Sequence, residues 1–423
     1  MEHVLVVTRA WVLHPDIKTD RGRRTSAPAL MEAVSLTGAL ANINVCGSEI
    51  VPLPKIRAGT MFGSGKIQEL KVKFAEHNVE LVLINGSVTP VQQRNLEKEW
   101  NVKLLDRTGL ILEIFSNRAV TREGVLQVEM AALSYQRTRL VRAWTHLERQ
   151  RGGLGFVGGP GETQIEADRR AIDDQLVRLR RQLDKVVKTR ALHRASRAKV
   201  PYPIVALVGY TNAGKSTLFN RLTGADVMAK DMLFATLDPT MRAVNLDNGL
   251  DIILSDTVGF ISDLPTELVA AFRATLEEVL SADVILHVRD ISHEVTEDQC
   301  HDVRMILDGL GVHKQTLQFE VWNKIDQMPA ESAAAMRNRA ARDDGVLTLS
   351  ALTGEGLDDL LKVLDKSLRD ASHKCQVSLT FAQGKQRAWL FAQDLIETEI
   401  QTDSGFEVCV IWTAKQEKQF NAL

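Results

Sequence analysis

The sequence is poor in cysteine, has no long apolar run and has no excess of charge of one sign. The four cysteines among 423 residues lie far apart, without a CxxC pair or a histidine at metal-ligand spacing, which favours free thiols in a reducing cytosol over disulfides or a zinc site. No apolar run approaches the roughly 20 residues that cross a bilayer. Residues 1–8 predict a short strand rather than a signal peptide. We therefore expect a cytoplasmic protein.

Charge is balanced over the whole chain but not locally. Lys and Arg number 52 and Asp and Glu number 54, a formal net charge of -2, which excludes a wholly basic nucleic-acid-binding protein but not a basic patch. Residues 137–199 hold 16 Lys and Arg against 7 Asp and Glu, a local charge of +9. This stretch surrounds a Gly-rich segment at 151–161, and its flanks predict helices over 123–149 and 162–198. The pattern indicates a basic helical hairpin with a flexible tip.

The alternation of apolar runs and helical patterns predicts four units: an N-terminal α/β domain over 1–110, the hairpin over 111–200, a second α/β domain over 201–370, and a small α+β domain over 371–423. The second α/β domain is expected to be a mostly parallel sheet with helices on both faces. In the first domain the predicted strands are 3–8, 43–51, 81–85 and 102–105, and the predicted helices are 27–41, 67–78 and 91–100. In the last unit we predict strands at 377–381 and 406–412 and a helix at 385–397.

The second α/β domain opens with a phosphate-binding pattern. The apolar run 204–208 predicts a strand buried on both faces, and it leads into GxxxxGK[ST] followed by a helical pattern. Glycines let backbone N–H groups surround anionic oxygens, Lys215 would contact the β- and γ-phosphates, and the Ser216 hydroxyl would ligate Mg²⁺. The predicted nucleotide contacts here are Gly209, Tyr210, Thr211, Asn212, Ala213, Gly214, Lys215, Ser216 and Thr217.

A second Gly-rich segment, at 63–67, lacks parts of the same pattern. A P-loop ending at Lys66 needs glycine where Thr60 stands and a hydroxyl residue where Ile67 stands. We interpret this segment as a turn that enters a helix.

A guanine-recognition pattern follows at a spacing of about a hundred residues. Asp326 of the NKxD sequence could accept hydrogen bonds from N1–H and the 2-amino group of guanine, neither of which adenine offers. Asn323 would tie this loop to the P-loop, and the segment 350–352 could present a backbone N–H to the guanine carbonyl. The predicted base-side residues are Asn323, Lys324, Ile325, Asp326, Ser350, Ala351 and Leu352.

Two further loops resemble the switches of a nucleotide-dependent hydrolase. An apolar strand ends in DxxG, in which Asp256 would hold Mg²⁺ through water and the Gly259 N–H would contact the γ-phosphate. In the preceding loop, Thr236 is the preferred Mg²⁺ ligand and Thr240 is its rival. The residues assigned to the two loops are Phe234, Ala235, Thr236, Leu237, Asp238, Asp256, Thr257, Val258 and Gly259, of which Thr236 and Gly259 join Lys215 as candidate catalytic residues.

One position departs from many GTPases. The residue after DxxG is Phe260, whereas a glutamine that orients the attacking water is common there. We expect slow intrinsic hydrolysis that is completed by a partner, a repositioned backbone or a monovalent cation. Asn212 is either a potassium ligand or a brace for the loop, and the sequence leaves the two open.

The basic hairpin is a candidate RNA-binding element. An extended, positively charged pair of helices suits a phosphate-rich partner, and Trp144, His146 and Phe156 could stack on unpaired bases. The alternative is a solvated helical pair whose charges only keep it soluble. The candidate RNA contacts are Arg149, Arg151, Arg178, Arg180 and Arg181.

Over nearly its full length the chain resembles the HflX family of GTPases that act on the ribosome. The segments that carry the resemblance are 104–112, 144–150, 159–164, 208–221, 233–240 and 256–261. The resemblance implies a Mg²⁺-dependent GTPase, monomeric off the ribosome, that binds the large ribosomal subunit and helps split or rescue stalled ribosomes under stress. It also implies rRNA contacts from the N-terminal and helical parts, with the Gly-rich tip directed toward the peptidyl-transferase region. In some members the N-terminal part binds ATP, which the incomplete pattern at 63–67 does not support.

Two other classes of function remain possible from the sequence. One is a GTP-dependent switch whose partner is a protein, and the other is a metabolic ATPase or nucleotide kinase. Salt dependence of binding separates the protein-partner switch from a ribosome factor. Competition between GTP and ATP decides whether the protein is an ATPase or nucleotide kinase.

Overall fold

The computed structural model describes residues 7–17, 25–150, 160–197, 202–225, 233–234, 236, 239–246, 250–262, 278–312, 316–370 and 372–421. Its strands form three separate sheets of four, six and three strands. Among these residues, no helix is both long and apolar enough to span a membrane.

The N-terminal sheet is parallel throughout, as predicted. Its strands lie in the order β2-β1-β3-β4, and the short β3 is buried along its whole length because helices cover both faces. The elements are β1 Thr8–Ile17, α1 Ser26–Gly38, β2 Ile43–Leu53, α2 Ser64–Glu76, β3 Leu81–Ile84, α3 Pro90–Trp100 and β4 Lys103–Asp106.

The first predicted strand, at 3–8, lies mostly outside the described residues, since only 7 and 8 are described. The strand in the structure starts at Thr8 and continues past the predicted end to Ile17. The far end of this strand was not predicted because it contains polar residues. One of them, His14, is buried and lies 3.1 Å from the Asn85 amide instead of facing water. The segment at 63–67 is the predicted turn into a helix: Gly63 caps α2, and Lys66 pairs with Glu49 and Glu69.

Three helices follow the first sheet. They are α4 Arg107–Arg118, α5 Arg122–Gln150 and α6 Pro160–Arg197. The last two form the predicted antiparallel hairpin, in which Arg137 and Asp173 pair at 2.7 Å across the helices. Of the predicted Gly-rich tip at 151–161, residues 151–159 lie outside the described residues, and Pro160 and Gly161 already belong to α6. Helix α4 was not predicted; it begins because Asp106 accepts a hydrogen bond from the Gly109 N–H at 2.8 Å.

The central sheet has six strands in the order β10-β9-β8-β5-β7-β6, and only β6 runs antiparallel to its neighbour. This confirms the mostly parallel α/β fold. The elements are β5 Ile204–Gly209, α7 Lys215–Thr223, β6 Thr240–Asn245, β7 Asp251–Asp256, β8 Val284–Asp290, α8 Thr296–Leu310, β9 Leu317–Asn323, α9 Ala330–Ala340, β10 Val346–Thr348 and α10 Leu357–Asp370. The carboxyl ends of the parallel strands share one edge, where ligands bind in such sheets.

The C-terminal unit is an antiparallel sheet with helices, as the predicted α+β class requires. Its strands lie in the order β11-β13-β12. The elements are β11 Ser372–Thr380, α11 Gly384–Ala392, β12 Ile396–Thr402, β13 Gly405–Thr413 and α12 Ala414–Asn421. The helix predicted to reach residue 397 was too long, because Asp394 takes a left-handed φ of 50° and the chain continues as β12.

The N-terminal and central sheets share one apolar core. Leu110 and Phe115 of α4 belong to the same cluster of buried side chains as Phe234 and Val258 of the central domain. The two domains therefore meet through helix α4, on the side where the candidate switch loops lie.

Candidate nucleotide-binding site

The P-loop sequence forms a strand–loop–helix turn whose glycines have no substitute. Gly209, at φ +151°, approaches so closely that a Cβ atom would lie 2.1 Å from the Val288 carbonyl oxygen. Gly214, at φ +94°, would place a Cβ 2.2 Å from Nδ2 of Asn323. Neighbouring atoms therefore leave no room for a side chain at either position, and only glycine fits.

Lys215 lies buried beneath this loop, with its side chain folded back on the P-loop backbone. Its ammonium donates to the carbonyl oxygens of Gly209 at 3.0 Å and Tyr210 at 2.8 Å. Burial lowers the pKa of Lys215 to about 8, while the nearby Asp256 charge acts in the opposite direction. An ammonium has three N–H donors, so these two bonds leave one donor for an anion.

Two hydroxyls and a carboxylate converge beside the lysine. Ser216 and Thr236 each donate to Oδ2 of Asp256, at 2.7 and 2.9 Å, and their oxygens lie 2.9 Å apart. Burial raises the pKa of Asp256, and its Oδ1 is buried without a hydrogen-bond partner. Adjacent ligands of an octahedral Mg²⁺ ion lie about 3 Å apart, so this group fits the ion. Thr240, the rival of Thr236, lies instead at the first position of β6.

The DxxG loop lies directly on the P-loop. The Phe260 N–H donates to the Gly209 carbonyl at 3.1 Å, and the Phe260 carbonyl accepts from the Thr211 N–H at 2.7 Å. A Cβ on Gly259 would lie 2.8 Å from Cγ2 of Thr211 and 3.1 Å from Nζ of Lys215, so only glycine fits. The Phe260 side chain is buried in the shared core and offers no polar atom to water.

The base-side loop is joined to the phosphate side by one amide. Asn323 donates to the Ala213 carbonyl at 2.8 Å and accepts from the Ala351 N–H at 2.9 Å. Asp326 is exposed on a 3₁₀ turn three residues later, where a base could reach it. Because the Ala351 N–H is already donated, a guanine carbonyl would have to share or replace that bond.

The remaining predicted residues fall around this framework. Lys324 has a left-handed φ of 64° and pairs with Asp290 at 2.9 Å, while Leu352 is exposed. Thr257 donates to the Leu207 carbonyl at 2.6 Å and so fixes the end of β7. The predicted residues Ala235, Leu237, Asp238 and Arg151 lie outside the described residues, as do the side chains of Arg149, Trp144, His146 and Phe156.

Sequence reasoning missed a polar group that touches both the P-loop and the DxxG loop. Glu32 of α1 accepts from the Tyr210 hydroxyl and from the Ser262 hydroxyl, the latter at 3.1 Å. Arg107 of α4 donates to Glu32 and, at 2.9 Å, to the Ser262 carbonyl. No local sequence pattern predicts these contacts, because the partners are separated by up to 230 residues.

A cluster of metal-ligand residue types lies away from this site. Ligand atoms of His287, Cys300 and Glu320 lie within 4.8 Å of one another. The Glu320 carboxylate is already paired with Arg289 at 2.7 Å and with Arg304. Burial alone would raise the pKa of Glu320, but hydrogen bonds and the two guanidinium charges hold it at about 2. A cation would compete with both arginines, so we interpret the cluster as an ion-pair network.

Four family models match consecutive parts of the chain. They are described as the GTP-binding GTPase N-terminal region over residues 28–116, the GTP-binding GTPase middle region over 118–197, the 50S ribosome-binding GTPase over 204–324, and the HflX C-terminal domain over 335–421. Together they cover the hairpin and every strand of the three sheets except β1.

Individual relatives match over most of their length. A GTPase HflX of Magnetococcus marinus is 48% identical over 94% of this chain and 90% of that protein, and one of Escherichia coli K12 is 42% identical over 88% and 86%. Among solved structures, a GTP-binding protein of the archaeon Sulfolobus solfataricus in complex with GDP has 22% identity and a TM-score of 0.46, covering 85% of this chain and 98% of that chain. Because the four family models and the two relatives match along most of its length, the chain belongs to the HflX family of GTPases.

Proposed function

We propose that this GTPase binds the large ribosomal subunit and helps split or rescue stalled ribosomes under stress, with rRNA contacts from its N-terminal and helical parts. In this proposal the protein is cytoplasmic, partly ribosome-bound and monomeric off the ribosome. The observation that carries the proposal is a basic, two-helix arm on the same chain as the nucleotide site. The 50S ribosome-binding description of the matched GTPase region supports the same partner.

The arm presents its positive charge to solvent. Arg178, Arg180 and Arg181 are all exposed on α6, while Leu179 between them is buried against α5. Among the described residues, none of the three arginines pairs with a carboxylate. Unpaired guanidinium groups on one helix face are well suited to neighbouring phosphates of folded RNA, which they bind by releasing counterions.

On the phosphate side, the residues divide the work of hydrolysis. Lys215 would neutralise charge that develops on the β- and γ-phosphates, and the Gly259 N–H would hold a γ-phosphate oxygen. Ser216 and Thr236 would hold Mg²⁺, and Asp256 would orient them and reach the ion through water. The ion, when bound, neutralises negative charge on the β- and γ-phosphate oxygens.

On the base side, Asp326 would accept hydrogen bonds from the guanine edge. Asn323 would keep the loop of Asp326 at a fixed distance from the phosphates. The exposed Asp326 carboxylate becomes buried only when a base covers it, so a base without matching donors would leave it unpaired.

The attacking water needs an orienting group from elsewhere, because the Phe260 side chain is buried and apolar. A partner, a repositioned backbone group and a monovalent cation are the candidates. Asn212 is exposed at the rim of the loop with a left-handed φ of 60°, and its side chain would either ligate a potassium ion or brace the loop. Slow turnover off the ribosome and faster turnover on it are the expected consequence.

Co-sedimentation with purified large subunits tests the proposed partner. We expect the triple substitution Arg178→Gln, Arg180→Gln, Arg181→Gln to weaken subunit binding about tenfold or more and to flatten its salt dependence, because each lost phosphate contact removes a released counterion. Affinity for free GTP should not change.

The matched control removes the same charge from the central domain. Arg342, Lys362 and Lys366 are exposed there, and their substitution by Gln should leave subunit binding close to that of the natural chain. Equal binding by the hairpin triple and the natural chain, at several salt concentrations, would refute the proposed arm. Salt-insensitive binding to a protein partner would favour the alternative switch.

A further inference from the structure

The chain at the end of strand β8 lies beside the turn that carries Asp326. Asp290, the last residue of β8, is the register partner of Asn323 on the neighbouring strand β9, so both strands end at the same sheet edge. The Ile291 N–H donates to the Asn323 carbonyl at 3.2 Å and continues this pairing by one residue. We call Asp290, Ile291 and Ser292 the 290–292 segment.

The Asp290 carboxylate holds residues on both sides of Asp326 in the chain. Its Oδ2 lies 2.9 Å from the Lys324 ammonium, and these two side chains are only 12% and 17% exposed. Its Oδ1 accepts from the Ser292 hydroxyl at 2.6 Å and from the Ser292 N–H at 3.0 Å. The same hydroxyl lies 3.2 Å from Oε1 of Gln327. Asp290 thus binds Lys324 directly and reaches Gln327 through Ser292.

An apolar contact fixes the residue just before Asp326. The Ile325 side chain is 1% exposed and belongs to the same cluster of buried side chains as Ile291. Moving it would return apolar surface to water, which is unfavourable. The 290–292 segment therefore binds or shares a core with residues 323, 324, 325 and 327.

The Asp326 carboxylate itself has no partner within the described parts of the chain, and the residue is exposed. Lys324 stands two positions earlier, with an ammonium on a flexible four-carbon stem. A pair between these two side chains would occupy the oxygens that the guanine N–H groups need, so guanine would first have to break it. The Lys324 ammonium is instead bound by Asp290.

Removal of the Asp290 charge would act on Asp326 in two ways. The Lys324 ammonium would be left in a largely dry position without its carboxylate, which is strongly unfavourable unless it finds another acceptor such as Asp326. The turn would also lose its hold at both ends, so that guanine would have to order the turn as it binds. Both effects weaken the hold on the base.

We propose that Asp290 is a specificity-determining positioning residue of the guanine site: it keeps the Asp326 carboxylate unpaired and in place for the base. This rests on the guanine-binding role of Asp326 in the proposed function. Asp290 acts through Lys324 and the turn, so it governs the choice of base and leaves the phosphate contacts of Lys215 unchanged.

The Kd values of GDP and ADP test this in the full-length chain without ribosomes. We expect Asp290→Asn to weaken GDP binding about tenfold or more and to leave ADP binding within about twofold, because adenine offers the Asp326 carboxylate no matching donors. General damage to the domain would instead weaken both nucleotides by the same factor.

Two double variants show whether the effect passes through Lys324 and Asp326. With Lys324→Met there is no ammonium to release, so adding Asp290→Asn should weaken GDP binding by only about threefold or less. With Asp326→Asn the contact to the base is already lost, so adding Asp290→Asn should change GDP affinity by less than about twofold. A full tenfold loss in both backgrounds would contradict the proposed route.

Glu399→Gln is the matched control. Glu399 is 20% exposed and accepts two hydrogen bonds from Arg387, at 2.9 and 2.7 Å, in the C-terminal sheet. Its substitution also breaks a half-buried ion pair, but both affinities should stay those of the natural chain.

A natural ratio of GDP to ADP affinity in folded Asp290→Asn would overturn the proposal, and so would an equal fall for both nucleotides. If Asp290→Asn does not fold, Asp290→Glu decides in its place. A carboxylate displaced by one methylene no longer fits both Lys324 and Ser292, so GDP affinity alone should fall about threefold or more.

Asp326→Asn alone separates this proposal from the role on which it rests. If that variant keeps its preference for GDP over ADP, Asp326 does not bind the base and both ideas fail. If it loses the preference while Asp290→Asn keeps it, only the positioning role of Asp290 is refuted.

Discussion

Asn323 joins three loops that are distant in the sequence. Its amide nitrogen binds the Ala213 carbonyl, its oxygen accepts the Ala351 N–H, and its Nδ2 fills the space that a side chain at Gly214 would need. The side chain is 2% exposed, so both bonds form away from competing water. The distance between the phosphate loop and Asp326 is therefore set by one buried amide.

At Asp326 we predict a change of nucleotide preference. Asp326→Asn replaces an acceptor of two guanine N–H groups by an amide that cannot accept both, so preference for GTP over ATP should fall by about a hundredfold or more. Competition binding with both nucleotides measures it. Asp344→Asn, at an exposed site elsewhere in the domain, serves as the control. A full preference for GTP in Asp326→Asn would show that another residue reads the base.

The site residues that could be predicted are those whose chemistry follows from local pattern. Lys215 and Asn323 lie in motifs that directly follow buried strands, and parallel strands bring their carboxyl ends together. The roles of Glu32 and Ser262 could not be predicted, because their contact depends on how two domains dock. The sequence favoured Thr236 over Thr240, and the fold brings the Thr236 hydroxyl to Asp256.

At the scale of single elements, helix α4 was not predicted, yet it contacts α1, α5 and the first sheet. Its cap, Asp106, accepts from the Gly109 N–H at its first turn and from the Tyr135 hydroxyl of α5 at 2.7 Å, and it pairs with Arg139 at 3.3 Å. One carboxylate thus caps α4, which contacts Ser262 and Phe234 of the two candidate switch loops. The same carboxylate binds Tyr135 and Arg139 of α5, the first helix of the hairpin. Burial and the Asp106 charge raise the pKa of Tyr135, which keeps it a donor.

We predict that Asp106→Ala loosens both helices. Loss of the cap and of bonds to charged partners should lower the local free energy of unfolding by about 2–4 kcal/mol. Hydrogen exchange of α4 and of the first half of α5 in the full-length chain measures this. Asp106→Asn keeps the capping oxygen but loses the charge, so its effect should be smaller. Exchange unchanged in both variants would contradict the role assigned to this residue.

Strands with ordinary patterns were predicted, and strands with polar interiors were not. The residues of β3 form a continuous apolar run, so it was found within one residue. In strand β12 three polar residues separate Ile396 from Ile400, which is exposed, and no proline precedes the strand. The predicted helix was therefore extended over its first two residues. Helix α4 escaped notice because its apolar residues are buried all round between two domains rather than along one stripe.

At the scale of the whole molecule, the basic arm and the GTP site are joined by a short physical path. The hairpin rests on Asp106, its neighbour Arg107 holds the loop after DxxG, and that loop lies on Lys215. Under the proposed function, a partner that moves the hairpin would act through these contacts on the residues expected at the γ-phosphate. Under the same proposal, these contacts would be the route by which a partner raises turnover in a GTPase that has Phe260 in place of a water-orienting glutamine.

GTP turnover of the purified chain with and without purified large ribosomal subunits tests the central claim most directly. With saturating subunits in potassium buffer the account predicts a rate at least about tenfold higher than that of the free chain, and a smaller rise for the hairpin triple variant at the same subunit concentration. A rate that stays the same with subunits present, in a preparation that binds GTP normally, would contradict it.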